Sequence, residues 1–475
     1  MQHTQLAVLG GGPGGYAAAF IAADEGLDVT IIEQDPRLGG TCLLRGCIPS
    51  KALLHVARVM SEVDELAEDW GVDFGSPQIR LEQLRSRKEQ VIEKMSGGLR
   101  QLAKRRNVRI IHGQGALLDN KTLQLTGDDA SIPEDGKLSF DHLILATGST
   151  PARPGSLAID SDRVMDSTGA LQLEEIPGSM LVVGGGYIGL EMGTVYAHLG
   201  CKVSVVELTD GLLPGADRDL VKPLHRRLTK LMEDRIHLNT KVGSLGERGE
   251  QVEVAFEGPN KYGTELYDRV LVSVGRRPNS RDIGLENTQI QTDRRGFVAC
   301  NSQQQTAEPN IFAIGDVVGE PMLAHKASHE AKVAVESVLG KAASFEPAAI
   351  PAVVFTDPEI AWAGLTQDQA KQTGRNVNVS VYPWAASGRA QALGRVEGLT
   401  KIIIDPSNDR ILGCGIVGPG AGELIAESVL AIEMGCDIRD ITESIHAHPT
   451  LSETLMNAGE VYFGSAVEIY KPRRK

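Results

Sequence analysis

The chain has 475 residues, which is more than one hydrophobic core usually serves, so about three domains are expected. Hydrophobic residues make up 41% of the sequence and charged residues 23%, a balance that excludes wholesale disorder. The formal net charge of −14 disfavours nucleic acid as a partner, because lysine and arginine supply most of the affinity for a polyanion.

The apolar stretch 6–23 lies where a signal peptide could stand, but glycines interrupt it and no basic segment precedes it. No run reaches the roughly eighteen apolar residues that span a membrane. We therefore expect a cytoplasmic protein without a membrane partner. Its six cysteines are too few for a disulfide scaffold, so any special pair among them is expected to be chemical.

The first predicted strand, 5–9, leads into a glycine-rich turn and an alanine-rich helix. The turn carries Gly10, Gly12 and Gly15 in a G-x-G-x-x-G pattern. Such a turn lets backbone N–H groups at the start of the helix approach a pyrophosphate, which a Cβ atom would obstruct. The next predicted strand ends on Glu33, about twenty residues beyond the first glycine, where a carboxylate can hold ribose hydroxyls.

The pair Cys42 and Cys47 follows Glu33 closely and precedes a predicted helix that begins near Ala52. This position places both thiols beside the dinucleotide of the first unit, at a helix start that favours the thiolate. A structural disulfide and half of a zinc site are the alternatives. A reducing cytoplasm disfavours the first, and the second lacks another cysteine pair or clustered histidines. The pair is therefore predicted to be reactive.

The strand, glycine turn, helix and acidic strand end occur a second time. A strand at 180–183 leads to Gly184, Gly186 and Gly189, and the strand after the next helix ends on Glu207. One such motif is weak, but two with the same spacing predict two dinucleotide sites. Glu207 favours NAD over NADP, because a carboxylate accepts hydrogen bonds from a free 2′-hydroxyl and repels a 2′-phosphate.

Three further apolar strands are predicted: two leave a nucleotide unit, and the third places a carboxylate just past its end, where a loop normally presents ligand contacts. These are 142–146 before Thr147 and Gly148, 269–274 before Gly275, and 310–314 before Asp316. The order of these strands along the chain predicts that the second nucleotide unit is inserted within the first. From about residue 350 the strand-like runs 352–355, 377–382 and 401–404 and the helical stretch 423–433 predict a separate α+β domain.

A nicotinamide delivers a hydride, whereas a disulfide accepts electrons through sulfur exchange, so a carrier able to do both is expected between them. A flavin meets this requirement. We therefore expect FAD in the first unit, beside the cysteines, and NAD in the second.

Several segments occur in order along the chain: the two glycine loops, Gly39-Gly40-Thr41-Cys42, Gly46-Cys47-Ile48-Pro49-Ser50-Lys51, Ala146-Thr147-Gly148, Gly315-Asp316, Thr356-Asp357-Pro358-Glu359 and His448-Pro449-Thr450-Leu451-Ser452-Glu453. These segments resemble the pyridine nucleotide-disulfide oxidoreductase family over essentially the whole chain. Within the family they are most similar to the dihydrolipoamide dehydrogenases.

The resemblance implies an α/β fold with two Rossmann-like dinucleotide-binding domains, one inserted in the other, and a carboxyl-terminal α+β dimerisation domain. The expected division is an FAD domain (1–150), an NAD domain (151–278), a central domain that completes the FAD site (279–348) and an interface domain (349–475). Besides the six glycines of the two loops, the cofactor-binding residues are expected to be Glu33, Thr41, Lys51, Gly115, Thr147, Gly148, Asp316, Glu207 and Gly275.

The resemblance also implies the catalytic roles. Cys42 would exchange with a dithiol substrate, and Cys47 would contact the flavin as a thiolate. Lys51 would sit near the flavin, paired with Glu191. The general base would be His448, oriented by Glu453, donated by the other subunit of a homodimer and joined to Pro449 by a cis peptide bond. Spacing alone does not choose between His446 and His448, because residues two apart in an extended segment face the same side.

The implied reaction is the oxidation of dihydrolipoamide to lipoamide with reduction of NAD⁺ to NADH. The implied partners are lipoyl domains of a 2-oxo acid dehydrogenase core or the glycine cleavage H protein, without nucleic acid, membrane or metal. The alternatives are a disulfide reductase like glutathione reductase, which Tyr187 in the second glycine loop suggests, and a redox-silent nucleotide sensor. Leu44 departs from the family, which usually carries asparagine there. The isolated Cys201, Cys300, Cys414 and Cys436 are expected to be buried and inert.

Overall fold

The computed structural model describes residues 2–469. The first part of the chain comprises β1 (Gln2–Leu9), α1 (Pro13–Asp24), β2 (Val29–Glu33), α2 (Gly40–Arg45), α3 (Cys47–Trp70), α4 (Leu81–Arg105), β3 (Arg109–His112), β4 (Gln114–Asp119), β5 (Thr122–Thr126), β6 (Lys137–Leu145) and β7 (Ser149–Pro151). None of the helices within residues 2–469 is long and apolar enough to cross a membrane.

The second part comprises β8 (Val164–Met165), α5 (Ser167–Gln172), β9 (Ser179–Val183), α6 (Tyr187–His198), β10 (Lys202–Val206), α7 (Arg218–Leu231), β11 (Ile236–His237), β12 (Lys241–Arg248), β13 (Gln251–Glu257), β14 (Gly263–Tyr267), β15 (Arg269–Val272) and β16 (Arg276–Pro278). The chain then returns through β17 (Ile311–Ala313) and α8 (Ala324–Val338).

The last part comprises β18 (Ala352–Val354), β19 (Ile360–Gly364), α9 (Gln367–Thr373), β20 (Asn378–Pro383), α10 (Gly388–Leu393), β21 (Leu399–Ile404), β22 (Ile411–Val417), α11 (Ala421–Glu433), α12 (Ile438–Glu443) and α13 (Glu453–Phe463). Its five strands form one antiparallel sheet in the order β18-β19-β22-β21-β20.

The first sheet has a parallel core in the order β3-β2-β1-β6, extended by β17, which also runs parallel to β6. Side chains of β1 alternate between two cores: Leu6 and Val8 face α1 and α8, and Ala7 and Leu9 face the opposite side. Burial on both faces is the pattern of a parallel sheet covered by other layers.

The second sheet is also parallel, in the order β11-β10-β9-β15-β8, with the antiparallel strands β12, β13 and β14 as a separate layer. It lies in the chain between β6 and β17, which are neighbours in the first sheet. The short strands β7 and β16 pair where the chain leaves the first unit and returns. The predicted fold class, with one nucleotide unit inserted in the other, is confirmed.

The predicted start of the helix after the cysteines is wrong by several residues. That helix was expected near Ala52, but α3 begins at Cys47 itself. Pro49 obscured the start in the sequence, yet proline is compatible with the first helical turn, where an N–H has no partner within the helix. Cys47 therefore stands on a helix end and not on a loop.

Buried charges join the carboxyl-terminal sheet to the second unit. Lys401 on β21 has 1% of its side chain exposed, and its Nζ lies 2.7 Å from Asp217 Oδ2 and 2.6 Å from Asp219 Oδ1. A buried charge is tolerated when it is paired, so these contacts fix the start of α7 against β21.

Candidate active site

A cavity of about 1200 Å³ opens at the carboxyl ends of the parallel strands of the first sheet. This is where ligands bind in open α/β sheets. Many of the residues predicted from the sequence line it, contributed by both nucleotide units: Gly10, Gly12, Glu33, Thr41, Cys42, Cys47, Lys51, Gly115, Thr147, Gly148, Glu191 and Asp316. Tyr187, at the first position of α6, lines it too and is 40% exposed.

The first glycine loop needs glycine for two physical reasons. Gly10 has φ +109°, and a Cβ atom there would lie 2.3 Å from the carbonyl oxygen of Ala146. Gly15 lies in α1, where a Cβ atom would meet the Gly10 carbonyl oxygen at 1.8 Å. The helix begins directly after Gly12, so its free N–H groups point toward the cavity.

The cavity fits a dinucleotide in size and in polar groups. Its volume is somewhat above the roughly 300–1,000 Å³ usual for small-molecule sites, as a long two-part ligand requires. The Oγ1 atom of Thr147 is buried there without a hydrogen-bond partner among the described residues. A buried hydroxyl of this kind needs a partner, which a bound ligand would supply.

The two acids at the strand ends make the same contacts in the two units. Glu33 Oε2 accepts a hydrogen bond from the N–H of Gly11 at 2.6 Å, and Glu207 Oε2 accepts one from Gly185 at 2.6 Å. Burial raises the pKa of Glu33, although the N–H donors at Gly11 and Asp35 oppose the shift. Each acid thus holds its glycine loop against the strand end, a function that the sequence interpretation did not include.

The three glycines of the second glycine motif do not line this cavity. Gly184, Gly186 and Gly189 surround the start of α6, where Gly186 is the capping residue. A Cβ atom at Gly189 would lie 2.5 Å from the Gly184 carbonyl oxygen, which repeats the close approach in the first loop. Gly275, with φ +118°, follows β15.

The two thiols of the pair lie beside each other and influence each other's ionisation. Cys42 lies in α2, and Cys47 is the first residue of α3. A hydrogen bond from the Cys42 thiol and the positive charge of Lys51 lower the pKa of Cys47 to about 7, against partial desolvation of this exposed residue and the charge of Glu191. The same hydrogen bond, with burial, raises the pKa of Cys42. In the reduced pair, these shifts favour the thiolate at Cys47 and the protonated thiol at Cys42.

Lys51 lies one turn along α3 from Cys47 and is paired with Glu191 of α6. Its Nζ is 2.8 Å from Glu191 Oε2 and 3.1 Å from Oε1. The Glu191 side chain is only 4% exposed, so its charge needs this cation. A third residue, Phe355, donates its backbone N–H to Glu191 Oε1 at 3.0 Å.

Asp316 follows β17 at the cavity wall, where it accepts a hydrogen bond from the Ser149 hydroxyl. Sequence reasoning missed two residues that surround it. Arg276 Nε lies 3.9 Å from Asp316 Oδ2 and donates to Ser149 Oγ at 2.7 Å. Glu330 on α8 accepts the N–H of Gly315 at 2.7 Å. The Gly-Arg sequence after β15 was the available signal for Arg276, whereas Glu330 had none.

His448 and Glu453 lie together in the carboxyl-terminal part, away from the cavity of their own chain. His448 Nδ1 is 2.9 Å from Glu453 Oε1, and the histidine side chain is 77% exposed. Glu453 Oε2 accepts the N–H of Thr450 at 2.7 Å. The bond at Nδ1 leaves Nε2 of the exposed ring able to exchange a proton. The predicted cis peptide bond between His448 and Pro449 is confirmed.

The structure distinguishes His446 from His448 as the candidate base, which spacing alone did not do. His446 has 7% of its side chain exposed, and both its ring nitrogens are engaged: Nε2 with Glu427 Oε1 at 2.9 Å and Nδ1 with the Ser444 carbonyl oxygen at 2.8 Å. It therefore has no free nitrogen for a substrate, whereas His448 does.

The other four cysteines differ in exposure. Cys201 and Cys414 are buried as predicted, and burial raises the pKa of each to about 12. The prediction is wrong for Cys300 and Cys436, which are half-buried. Among residues 2–469, no group of three or more histidine, cysteine, aspartate or glutamate side chains is arranged to hold a metal ion.

Comparison with curated proteins finds full-length relatives. The chain is 46% identical to the dihydrolipoyl dehydrogenase of Vibrio cholerae, with 99% of this chain and 98% of the relative covered. It is 44% identical to that of Haemophilus influenzae and 39% identical to that of Bacillus subtilis, with the same coverage.

Solved structures give the same result for the fold. LpdA from Mycobacterium tuberculosis matches with a TM-score of 0.87 at 27% identity, over 96% of this chain and 99% of that one. The HOCl-induced flavoprotein disulfide reductase RclA from Escherichia coli matches with a TM-score of 0.83, also at 27% identity and with the same coverage.

Two family profiles account for most of the sequence. Residues 4–331 match the pyridine nucleotide-disulphide oxidoreductase profile, and residues 350–458 match the dimerisation domain of the same family, which supports a homodimer. Together with the full-length relatives, these matches show that the chain belongs to the pyridine nucleotide-disulphide oxidoreductase family.

Proposed function

We propose that this chain is a dihydrolipoyl dehydrogenase, which oxidises dihydrolipoamide through the Cys42–Cys47 pair and FAD and reduces NAD⁺. The full-length relatives at 39–46% identity have this activity in their names. The observation that carries the proposal is the pair of neighbouring thiols, Cys42 and Cys47, which lines the same cavity as the first glycine loop.

Members of the family use FAD and NAD(H). FAD would be held by the loop at Gly10 and Gly12, by Glu33 and Thr147, and by Asp316, which all line the cavity. When bound, it supplies the transfer of an electron pair between sulfur and nicotinamide. The second glycine loop and Glu207 would hold NAD, and the carboxylate at that strand end favours the free 2′-hydroxyl.

The residues of the chain account for the thiol chemistry. His448 of the partner subunit, held by Glu453 of the partner subunit, removes a proton from the substrate dithiol. The substrate thiolate attacks Cys42 Sγ, the Cys42–Cys47 bond breaks, and Cys47 leaves as a thiolate beside Lys51. The second substrate sulfur then displaces Cys42, which closes the lipoamide ring and leaves Cys42 protonated.

The assembly and location follow from this reaction. A homodimer is required for His448 to reach the thiols, and lipoyl domains of a 2-oxo acid dehydrogenase core or the glycine cleavage H protein are the proposed partners. The proposal includes a cytoplasmic location, where NAD⁺ and reduced lipoyl groups meet.

The proposed division of the chain into domains has boundaries at about residues 150, 278 and 348. The pairing of β7 with β16 at the first two junctions supports these two boundaries.

A disulfide reductase like glutathione reductase is the second candidate, because Tyr187 lines the cavity at the start of α6. Steady-state rates separate the two: we expect kcat/KM for dihydrolipoamide with NAD⁺ to exceed that for glutathione disulfide with NADPH by at least about 10³-fold, since a site loses this much for a substrate that leaves polar groups unpaired. Faster turnover of glutathione disulfide with NADPH would replace the proposal by the second candidate.

A further inference from the structure

Phe355 makes two contacts with the Lys51–Glu191 pair, although it belongs to the carboxyl-terminal part of the chain. Its backbone N–H donates to Glu191 Oε1 at 3.0 Å. Its ring lies under the ammonium group of Lys51, with Nζ 4.5 Å from the ring centroid. An ammonium group at this distance is attracted to the negative face of an aromatic ring. One residue therefore fixes both members of the ion pair.

The segment that carries Phe355 is firmly held. It directly follows β18, and the next residues turn back so that the Thr356 hydroxyl donates to the Pro358 carbonyl oxygen at 2.9 Å. Asp357 is paired with Arg395, whose side chain is 7% exposed, and with Arg227 Nη2 at 2.8 Å. These ion pairs connect the turn to α7 and to the region before β21, which limits the freedom of the Phe355 ring.

The charge of Lys51 matters because of its neighbours. The side chains of Cys42, Lys51 and Glu191 shift the pKa of Cys47, and a charge on Cys47 raises the pKa of Tyr16 and of Tyr187. Lys51 is the cation in this set, and Glu191 is a carboxylate that opposes it. The stability of the Cys47 thiolate therefore depends on where the Lys51 ammonium group is held relative to Glu191. The Phe355 ring constrains this position.

We propose that Phe355 is a positioning residue for the redox centre: through its ring and its N–H, the carboxyl-terminal domain holds Lys51 and Glu191 in place beside Cys47. This inference rests on the proposed function, in which Cys47 is the thiolate next to FAD. The aromatic side chain directly after β18 thus has a role that neither the motif spacing nor the ion pair itself reveals.

The test is a pH titration of the thiolate absorption in the two-electron-reduced, FAD-loaded protein. Phe355→Leu removes the ring and keeps an apolar side chain, and Phe355→Met is a second variant in case leucine impairs folding. Without the ring, Lys51 is less constrained and the thiolate is less stabilised. The midpoint of the absorption should therefore rise by about half a pH unit in both variants. Phe355→Tyr keeps an aromatic face and should retain the wild-type midpoint.

The matched control is Phe256→Leu. Phe256, on β13, is buried and also has a lysine over its ring, with Lys261 Nζ 5.1 Å from the centroid. This lysine is paired with Glu265 and does not line the cavity, whereas Lys51 does. Its replacement should leave the midpoint unchanged. A midpoint equal to the wild-type value in both Phe355→Leu and Phe355→Met would overturn the inference alone. A wild-type protein without the thiolate absorption would overturn the proposed function and this inference together.

Discussion

Replacing Cys47 with serine is expected to lower the turnover of dihydrolipoamide by roughly 10³-fold or more, because removing one member of a catalytic unit costs nearly as much as removing all of it. The reason lies in the pair itself. Serine cannot form the disulfide that accepts electrons, and its hydroxyl is not ionised where the Cys47 thiol, with its pKa lowered to about 7, is. Replacing Cys42 with serine should abolish turnover to a similar extent.

The two serine variants should nevertheless differ in their spectra. In Cys42→Ser the remaining Cys47 is a free thiolate beside Lys51, so the FAD-loaded variant should show long-wavelength thiolate absorption without any reduction. Because a thiolate forms above its pKa, this absorption should grow as pH rises and fade as pH falls, with Lys51 still stabilising the thiolate after the Cys42 thiol is lost. Cys47→Ser should show none at any pH. Absorption in Cys47→Ser but not in Cys42→Ser would mean that the two roles are reversed.

Cys436→Ser is the control for both variants. Cys436 is half-buried, as Cys42 is, but lies after α11 and does not line the cavity. Its loss should leave both turnover and spectrum unchanged, so an effect of the same size there would point to a general loss of structure.

Replacing His448 with glutamine is expected to lower kcat by about 10²–10⁴-fold, the usual contribution of a general base. The structure gives the physical reason, since Nδ1 is held by Glu453 at 2.9 Å and Nε2 of the exposed ring is left for the substrate proton. Glu453→Gln should lower kcat less, by about 10-fold, because this change removes the carboxylate that orients the ring and leaves the base itself in place. The pH–rate profile of dihydrolipoamide oxidation measures both effects.

Mixed dimers test whether this histidine comes from the other subunit. In a dimer of one Cys47→Ser chain and one His448→Gln chain, a shared site would combine both defects in one active centre and neither in the other. Such mixed dimers should recover roughly half of the wild-type activity. If each active centre used its own histidine, both centres would carry a defect and the mixed dimers would be as inactive as the parents.

Much of the nucleotide architecture could be predicted because its signals are local. A strand, a glycine turn, a helix and an acidic strand end occupy about thirty residues, and backbone sterics fix where the glycines must stand. The alternation on β13, where Val252, Val254 and Phe256 are buried, was an available strand signal that the interpretation did not use. The hydrogen bonds from Glu33 and Glu207 to the glycine loops could not be foreseen, because a carboxylate at a strand end can also face solvent or ribose.

The remaining features of the site depend on contacts between residues far apart in the chain. Phe355 reaches Glu191 across 164 positions, and Arg276 reaches Ser149 across 127. No spacing rule relates such residues. Arg276 and Ser149 are brought together by the insertion of one nucleotide unit in the other, whereas Phe355 and Glu191 meet where the carboxyl-terminal part contacts the second unit. The exposure difference between His446 and His448 also required coordinates, since Glu427 on α11 engages one ring and not the other.

The central claim is that electrons from NADH arrive at Cys42 and Cys47, and alkylation of the protein tests it most directly. One equivalent of NADH is added anaerobically to the FAD-loaded protein, which is then alkylated and digested with trypsin, whose cleavage after Arg45 separates the two cysteines. We expect new label on Cys42 and on Cys47, and none on Cys201, Cys300, Cys414 or Cys436. Loss of the oxidised flavin spectrum without new label on this pair would contradict the account.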